Sequence, residues 1–352
     1  MRVAYTSELA AAMQKTVSGL IMQNDRNWCY INSVMYGLLW TLLCLDRPAF
    51  DLWGAHGPEL VAFLIQHSCK IAVLADIPWL APILRNWGPT QEQKDCAECA
   101  QKILTWLAAD AFDMGWERRL DTCDGFITMD VNSACTPIIL TFTRDMHTHG
   151  SCTFSGLISS WSQENSMQAA LKTASPCICL QLDRHYQDEV GNIFKTNCAI
   201  ELETEVAMPV FTQHDLQTEH VGYIPIAGVA HLGMDKAGHC RSIMKIQPSL
   251  VTATRPAAWL TTEDDERPTP TWDVPAWFKC NAALIWLVRT DMLSLPAYHS
   301  FTPEESMQLT RMTGPRQEPD AAEPTSHHEV ALQHELLHLL AAQHGANMDD
   351  ND

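Results

Sequence analysis

The sequence predicts an α+β fold in which helices and strands occupy separate stretches of the chain. Two observations carry this expectation. Up to about residue 115, apolar residues recur at helical spacing, as in EQKDCAECAQKILTWLAADAF (92–112), which contains neither Pro nor Gly. From about residue 120 the chain turns to short runs of β-formers separated by turn residues: TPIILTFT, PCICLQLDRHY, IFKTNCAIELE, YIPIAGVAHLG, RSIMKIQ and ALIWLVR. Helices first and strands afterwards, without βαβ alternation, is the α+β pattern.

Taken in order, residues 1–20 read as a weak helix or loose lead-in. A buried helix is predicted from Cys29 to about Leu45, and further helices follow, broken at Gly57-Pro58 and at Trp87-Gly88-Pro89. Within the strand-rich part, YIPIAGVAHLGMDKAGHCRSIMKI (223–246) reads as strand, glycine turn, strand. The Pro- and Thr-rich stretch 248–275, with the charge run EDDER, reads as an inserted loop. From about residue 302 the chain is polar and acidic, and it closes on a predicted helix with a disordered acidic end.

Composition narrows the class. The 352 residues are 46% hydrophobic, enough to bury a core without metals or disulfides. Thirteen cysteines, an odd and scattered set, read as reduced thiols. With no apolar core in MRVAYTSELAAAM to make a secretory signal, the expectation is an intracellular protein, cytoplasmic or nuclear. The longest apolar run, Val34 to Leu45, is far short of the roughly 20 residues that span a bilayer, so no membrane association is expected. A net charge of −19 argues against nucleic acid and suits a basic protein partner.

Cys29 stands where a polar run, NDRNW, meets a buried helix. A cysteine there is either packing or a nucleophile at a helix N-terminus. A nucleophilic cysteine needs a base, a group that orients the base, and donors for an oxyanion. His239, directly after Gly238 at the start of a returning strand, is the candidate base. Asn281, at the entrance of the strand in WFKCNAALIWLVR, is the candidate orienting group. Cys96 and Cys99 form a single CxxC on a helical pattern and read as helix residues. A rival motif lies in HELLHLLAAQH (334–344), where His334 and His338 with Glu335 have zinc-protease spacing. The glycine needed for the metzincin turn is replaced there by Ala341.

These blocks, in this order, resemble the ubiquitin-specific proteases, papain-like cysteine proteases that remove ubiquitin. NDRNWCYINSV is similar to the family's cysteine box, EQKDCAECAQKIL to the helix that follows, and CICLQLDRHY with Lys195 to a later strand. YIPIAGVAHLGMDKAGHCRSIMKI, with His231, Gly238 and His239, resembles the histidine box, and WFKCNAALI the block bearing the third catalytic residue. The resemblance implies a papain-like fold over 21–300: a helical thumb (about 21–115), reduced β fingers (about 116–172) and a β-rich palm (about 173–300). It leaves 301–352 as a tail. It implies Cys29 as nucleophile, His239 as base, Asn281 as its orienting partner and Asn24 as oxyanion donor. Asp95, Glu98 and Gly238 would line the channel for the ubiquitin tail, and no cofactor is needed. The partner implied is ubiquitin or a ubiquitin-like protein, cleaved after its terminal glycine. Departures from the pattern are Arg26, Trp28, Cys99, Ala100, Cys240 and Ala282; no paired CxxC knuckles occur between 116 and 175. They keep a second reading open, a catalytically weak ubiquitin-binding relative that serves as an interaction module.

Overall fold

The computed structural model describes residues 17–24, 27–45, 53, 56–66, 71–72, 79–80, 83, 94–132, 135–163, 167–187, 190–212, 216–234, 237–250 and 256–295. Arg26, the break at Trp87-Gly88-Pro89 and the tail motif around Glu335 lie outside these residues.

Helix α1 (Cys29–Leu43) is buried at all fifteen positions. Its sequence explains this: CYINSVMYGLLWTLL has no charged residue and is apolar on every side, so no face suits water. Three of the polar side chains it carries inside are paired with carbonyls. Tyr36 Oη donates to the Leu20 carbonyl, Thr41 Oγ1 to that of Gly37 and Trp40 Nε1 to that of Lys245, at 2.5, 2.7 and 2.7 Å. Gly37 lets the helix lie against Trp286; a Cβ there would sit 2.5 Å from the indole ring.

Helix α2 (Gly57–Gln66) starts at the anticipated break. Helix α3 (Cys96–Leu107) is shorter than the predicted 92–112 helix, because Ala108 takes a left-handed conformation (φ 45°) and Asp110–Phe112 form a separate 3₁₀ turn. Shorter helices α4 (Arg144–His149), α5 (Phe154–Ser162) and α6 (Ala276–Asn281) follow.

Eleven strands build the main sheet: β1 (Trp116–Thr122), β2 (Gly125–Val131), β3 (Ile138–Thr141), β4 (Gln168–Leu171), β5 (Cys177–Asp183), β6 (Val206–Phe211), β7 (Thr218–Met234), β8 (Ala237–Leu250), β9 (Pro256–Thr261), β10 (Thr269–Thr271) and β11 (Ala282–Arg289). Its path runs β10-β9-β8-β7-β6-β4-β1-β2, while β11 pairs with both β7 and β5, and β3 lies parallel to β5. Helix α1 packs on β7, β8 and β11 and on α3, so the hydrophobic core lies between this helix and the sheet. The fold is α+β, as the sequence predicts.

One expectation is corrected. The stretch 248–275 is not simply an inserted loop: β8 runs on to Leu250, and β9 and β10 add two antiparallel strands to the sheet edge. AAWLTT is a β-forming run, and Trp259 and Leu260 are buried by it. The neighbouring prolines and charges masked that signal.

The junction of α6 and β11 is tied down by Arg184, which is 2% exposed. Its guanidinium donates to the carbonyls of Ala282, Cys198, Lys279 and Thr196 at 2.7, 2.8, 2.9 and 3.4 Å. Nearby, Lys195 Nζ donates to the carbonyls of His231 and Gly233 at 2.7 and 2.9 Å, fixing the end of β7.

Candidate active site

Cys29 is the first residue of α1, where backbone N–H groups have no acceptor within the helix. The chain reaches this position through Asn27, whose φ of 61° lies in the left-handed region that asparagine tolerates. Trp28, the N-cap residue, makes no side-chain cap; instead its N–H donates to Asn24 Oδ1 at 2.6 Å. Asn24 thereby fixes the start of the helix that carries Cys29.

His239 comes from β8, paired with Leu232 of β7. Gly238 beside it is needed for close approach: a Cβ there would press on the Leu232 carbonyl and lie 2.5 Å from His231 Nε2. The sulfur of Cys29, a ring nitrogen of His239 and a carboxylate oxygen of Asp264 all lie within 4.8 Å of one another. A trio of this spacing has the chemistry of a metal-ligand set, yet here each member is engaged in hydrogen bonds.

Two carboxylates face the imidazole. Glu263 Oε1 accepts from Nε2, and Asp264 Oδ2 lies 3.5 Å from Nδ1. With Nε2 on Glu263, Nδ1 is the nitrogen left for the Cys29 sulfur. Glu263 is itself held by Arg241, 2.9 Å from its other oxygen, and the Arg241 guanidinium stacks on Trp277 at 4.4 Å. Asp264 accepts from Asn24 Nδ2 at 2.7 Å and from Asn32 Nδ2 at 3.1 Å. The chain next to it is joined to the same region, since the Asn24 N–H donates to Asp265 Oδ1 at 3.0 Å.

The electrostatics follow from these contacts. The Cys29 thiol is lowered to about 4, first by a hydrogen bond from the Cys240 thiol; burial opposes this, and His239 and the Cys240 N–H reinforce it. His239 is raised to about 9, first by its hydrogen bond to Cys29 and, against burial, by Glu263 and the charge of Asp264. Asp264 is pushed up to about 6 by burial, which outweighs its bonds from Asn32 and Asn24. At neutral pH the site therefore holds a thiolate beside an imidazolium.

The structure brings together Cys29, His239 and Asn24 of the sequence-derived set. It does not bring Asn281 to His239: Asn281 is the last residue of α6, and its Nδ2 donates back to the Trp277 carbonyl at 3.0 Å. Glu263 and Asp264 hold the place expected of Asn281. Sequence reasoning misses them because the charge run EDDER falls in a Pro- and Thr-rich stretch that reads as an inserted loop; its position directly after the β-forming AAWLTT is the available signal. Asp95 caps α3, with Oδ1 accepting from Ala97 and Glu98 N–H at 2.7 and 2.9 Å, and Glu98 is exposed with Lys102 at 3.6 Å. Among the described residues no helix is long and apolar enough to cross a membrane.

No protein-family model and no curated protein matches this sequence. Solved structures do. The SAGA deubiquitinating module Ubp8/Sgf11/Sus1/Sgf73 bound to monoubiquitin has a TM-score of 0.56 at 14% identity, over 79% of this chain and 71% of that one. The same module bound to ubiquitin aldehyde gives 0.53 at 13%, with the same coverage. A yeast module with a variant Sgf73 gives 0.51 at 13%, over 79% and 70%. The chain thus shares the fold of these deubiquitinating-module structures, a few helices packed on a large β-sheet.

Proposed function

We propose that the chain is a thiol-dependent deubiquitinase, cleaving the isopeptide or peptide bond after the terminal glycine of ubiquitin or a ubiquitin-like protein. The observation that carries this is the Cys29–His239–Glu263/Asp264 constellation, seated on a fold shared with a module solved with ubiquitin.

Each group has a role that its surroundings support. The Cys29 thiolate attacks the glycine carbonyl. The oxyanion that forms is met by the Cys29 backbone N–H at the start of α1, and by the Asn24 amide N–H not given to Asp264. His239, protonated, gives its proton to the leaving lysine amine, the C–N bond breaks, and an acyl-enzyme remains. The now neutral imidazole takes a proton from water, whose oxygen attacks the thioester and releases the carboxylate and the thiolate. Glu263 orients the imidazole through Nε2. Asp264 supplies charge beside Nδ1 and keeps Asn24 in place.

For the substrate tail, Asp95 leaves Oδ2 for a basic side chain while Oδ1 caps the helix, and Glu98 adds a second carboxylate one turn on. Gly238 keeps the wall beside His239 low. The test is ubiquitin carrying a thiol-reactive group at its C-terminus. The wild-type chain is expected to give a covalent adduct by intact mass, and Cys29→Ala none. A folded wild-type protein that forms no adduct would overturn the proposal.

A further inference from the structure

Among the described residues, one group of three metal-ligating side chains converges: Cys29, His239 and Asp264, with a donor atom of each within 4.8 Å of the other two. Acyl transfer has no step for a metal, yet the geometry suits one. A tetrahedral zinc ion with one sulfur, one nitrogen and one oxygen ligand holds those atoms about 3.3–3.6 Å apart. Nδ1 of His239 and Oδ2 of Asp264 are already 3.5 Å apart. The sulfur lies within 4.8 Å of both, so a shift of about 1 Å completes the set.

The hydrogen bonds around the trio are those of an outer metal shell. Glu263 accepts from Nε2 and so leaves Nδ1 facing the other two donors. A carboxylate behind a ligating histidine fixes its tautomer and raises its basicity. Arg241 holds Glu263 in turn, at 2.9 Å. Each oxygen of Asp264 takes one amide, Oδ2 from Asn24 at 2.7 Å and Oδ1 from Asn32 at 3.1 Å, and each keeps a lone pair. Cys29 is buried while the His239 side chain is 35% exposed, so the site has a mouth for an ion and a water.

We propose that the Cys29–His239–Asp264 trio is an inhibitory site for zinc, which seals the nucleophile reversibly. The block rests on the reading of Cys29 as the nucleophile of the proposed enzyme; the binding does not. On coordination the Cys29 sulfur and an Asp264 oxygen bind as anions, Nδ1 releases its proton to solvent, and a water takes the fourth position. The bound sulfur no longer attacks a carbonyl, and the imidazole has no proton to give a leaving amine. One thiolate and one imidazole among the donors select zinc over magnesium and calcium, which take oxygen ligands.

The test reads iodoacetamide labelling of Cys29 by peptide mass, in the full chain, with free Zn²⁺ set by a metal buffer. Zinc is expected to slow the labelling and a chelator to restore it, while magnesium has no effect. Asp264→Asn keeps the size and removes the anionic ligand. It should need at least roughly a hundred-fold more free zinc for the same protection, and Glu263→Gln about ten-fold more. Each variant is compared with its own zinc-free rate, so a changed reactivity of Cys29 cancels. His334→Ala with His338→Ala removes the zinc-protease spacing of the tail and should change nothing. Cobalt supplies a second readout: one equivalent should give a thiolate-to-cobalt charge-transfer band in the wild type and none in Cys29→Ser. Unslowed labelling of Cys29 in a chain loaded with zinc would overturn the proposal, as would a cobalt band that survives Cys29→Ser. So would equal protection in Asp264→Asn, which is capture by the thiolate alone, or protection lost with the tail histidines. A ubiquitin electrophile that fails to react would sink the deubiquitinase reading and leave these metal readouts standing.

Discussion

Replacing Glu263 by Ala tests which residue orients the imidazole. Glu263 accepts from His239 Nε2 and is clamped by Arg241 at 2.9 Å. A hydrogen bond between charged groups contributes about 1.5–3 kcal/mol. The two side chains are 35% and 36% exposed, so water screens the pair and about 1–2 kcal/mol is the reasonable share. If the transition state keeps this bond, kcat/KM falls by roughly five- to thirty-fold. The pH profile carries a second signature. The proposed mechanism needs the thiolate, which is lost as pH falls towards about 4, and the imidazolium, which is lost as pH rises through about 9. Removing a carboxylate that favours the charged imidazole moves the alkaline limb down by about one pH unit. Hydrolysis of a fluorogenic ubiquitin C-terminal amide across pH measures both, with a thermal melt as the folding control. Glu263→Gln, which keeps an acceptor, is expected to lose less. Asn281→Ala is expected to stay within about two-fold, because its amide donates to the Trp277 carbonyl rather than to His239. A loss in Asn281→Ala as large as in Glu263→Ala, or an unmoved alkaline limb, would refute the reasoning.

Three further outcomes are expected. Iodoacetamide at roughly pH 6 should label Cys29 well before Cys44, Cys177 and Cys179, whose thiols burial pushes up; a Cys29 rate that climbs tenfold per pH unit from there would refute a preformed thiolate. Gly37→Ala drives a Cβ into the Trp286 ring and should cost about 1–3 kcal/mol in urea unfolding, with an unchanged midpoint counting against the close approach of α1 to β11. Arg184→Ala strips four carbonyls of their donor and should cost at least about 3 kcal/mol; Lys, lacking the planar fork, should recover little of it, and full recovery by Lys would show that charge alone matters.

The helix at Cys29 and the β7–β8 hairpin were legible because each is written in adjacent residues. CYINSVMYGLLWTLL has one reading, and a glycine turn between two β-forming runs has one pairing. The carboxylates beside His239 were not legible in that way. Asn281 and Glu263 both flank β-forming runs, and choosing between them requires knowing which strand lies beside β8. The register places Lys245 opposite Trp259 and Ile243 opposite Thr261, which carries the next residues back towards His239. That pairing is a non-local fact, and the prolines around the run argued for a loop. Asp95 shows the converse case: its local signal, an acidic residue opening a helix, was complete, and the cap is what the structure gives it.

The acidic turn also ties the two halves of the site into one unit. Cys29 sits on a helix and His239 on a strand, and among the described residues no backbone ladder joins them. Residues 263–265 supply the link. Glu263 fixes the ring of His239 from the sheet side, while Asp264 is bonded to Asn24 and to Asn32, one turn along the Cys29 helix. Asp265 accepts from the Asn24 N–H and donates its own to the Met22 carbonyl at 3.4 Å. Three consecutive residues therefore hold His239, the segment before Cys29 and the helix that begins at Cys29. Burying part of that turn has a consequence: Asp264 sits at about 6 because water is excluded from it, and it stays ionised at neutral pH in the company of the imidazolium and two amides. Asn32, Asn24 and the His239 charge thus hold Asp264 ionised against burial and against the neighbouring Cys29 charge, so the turn's alignment draws on all three together.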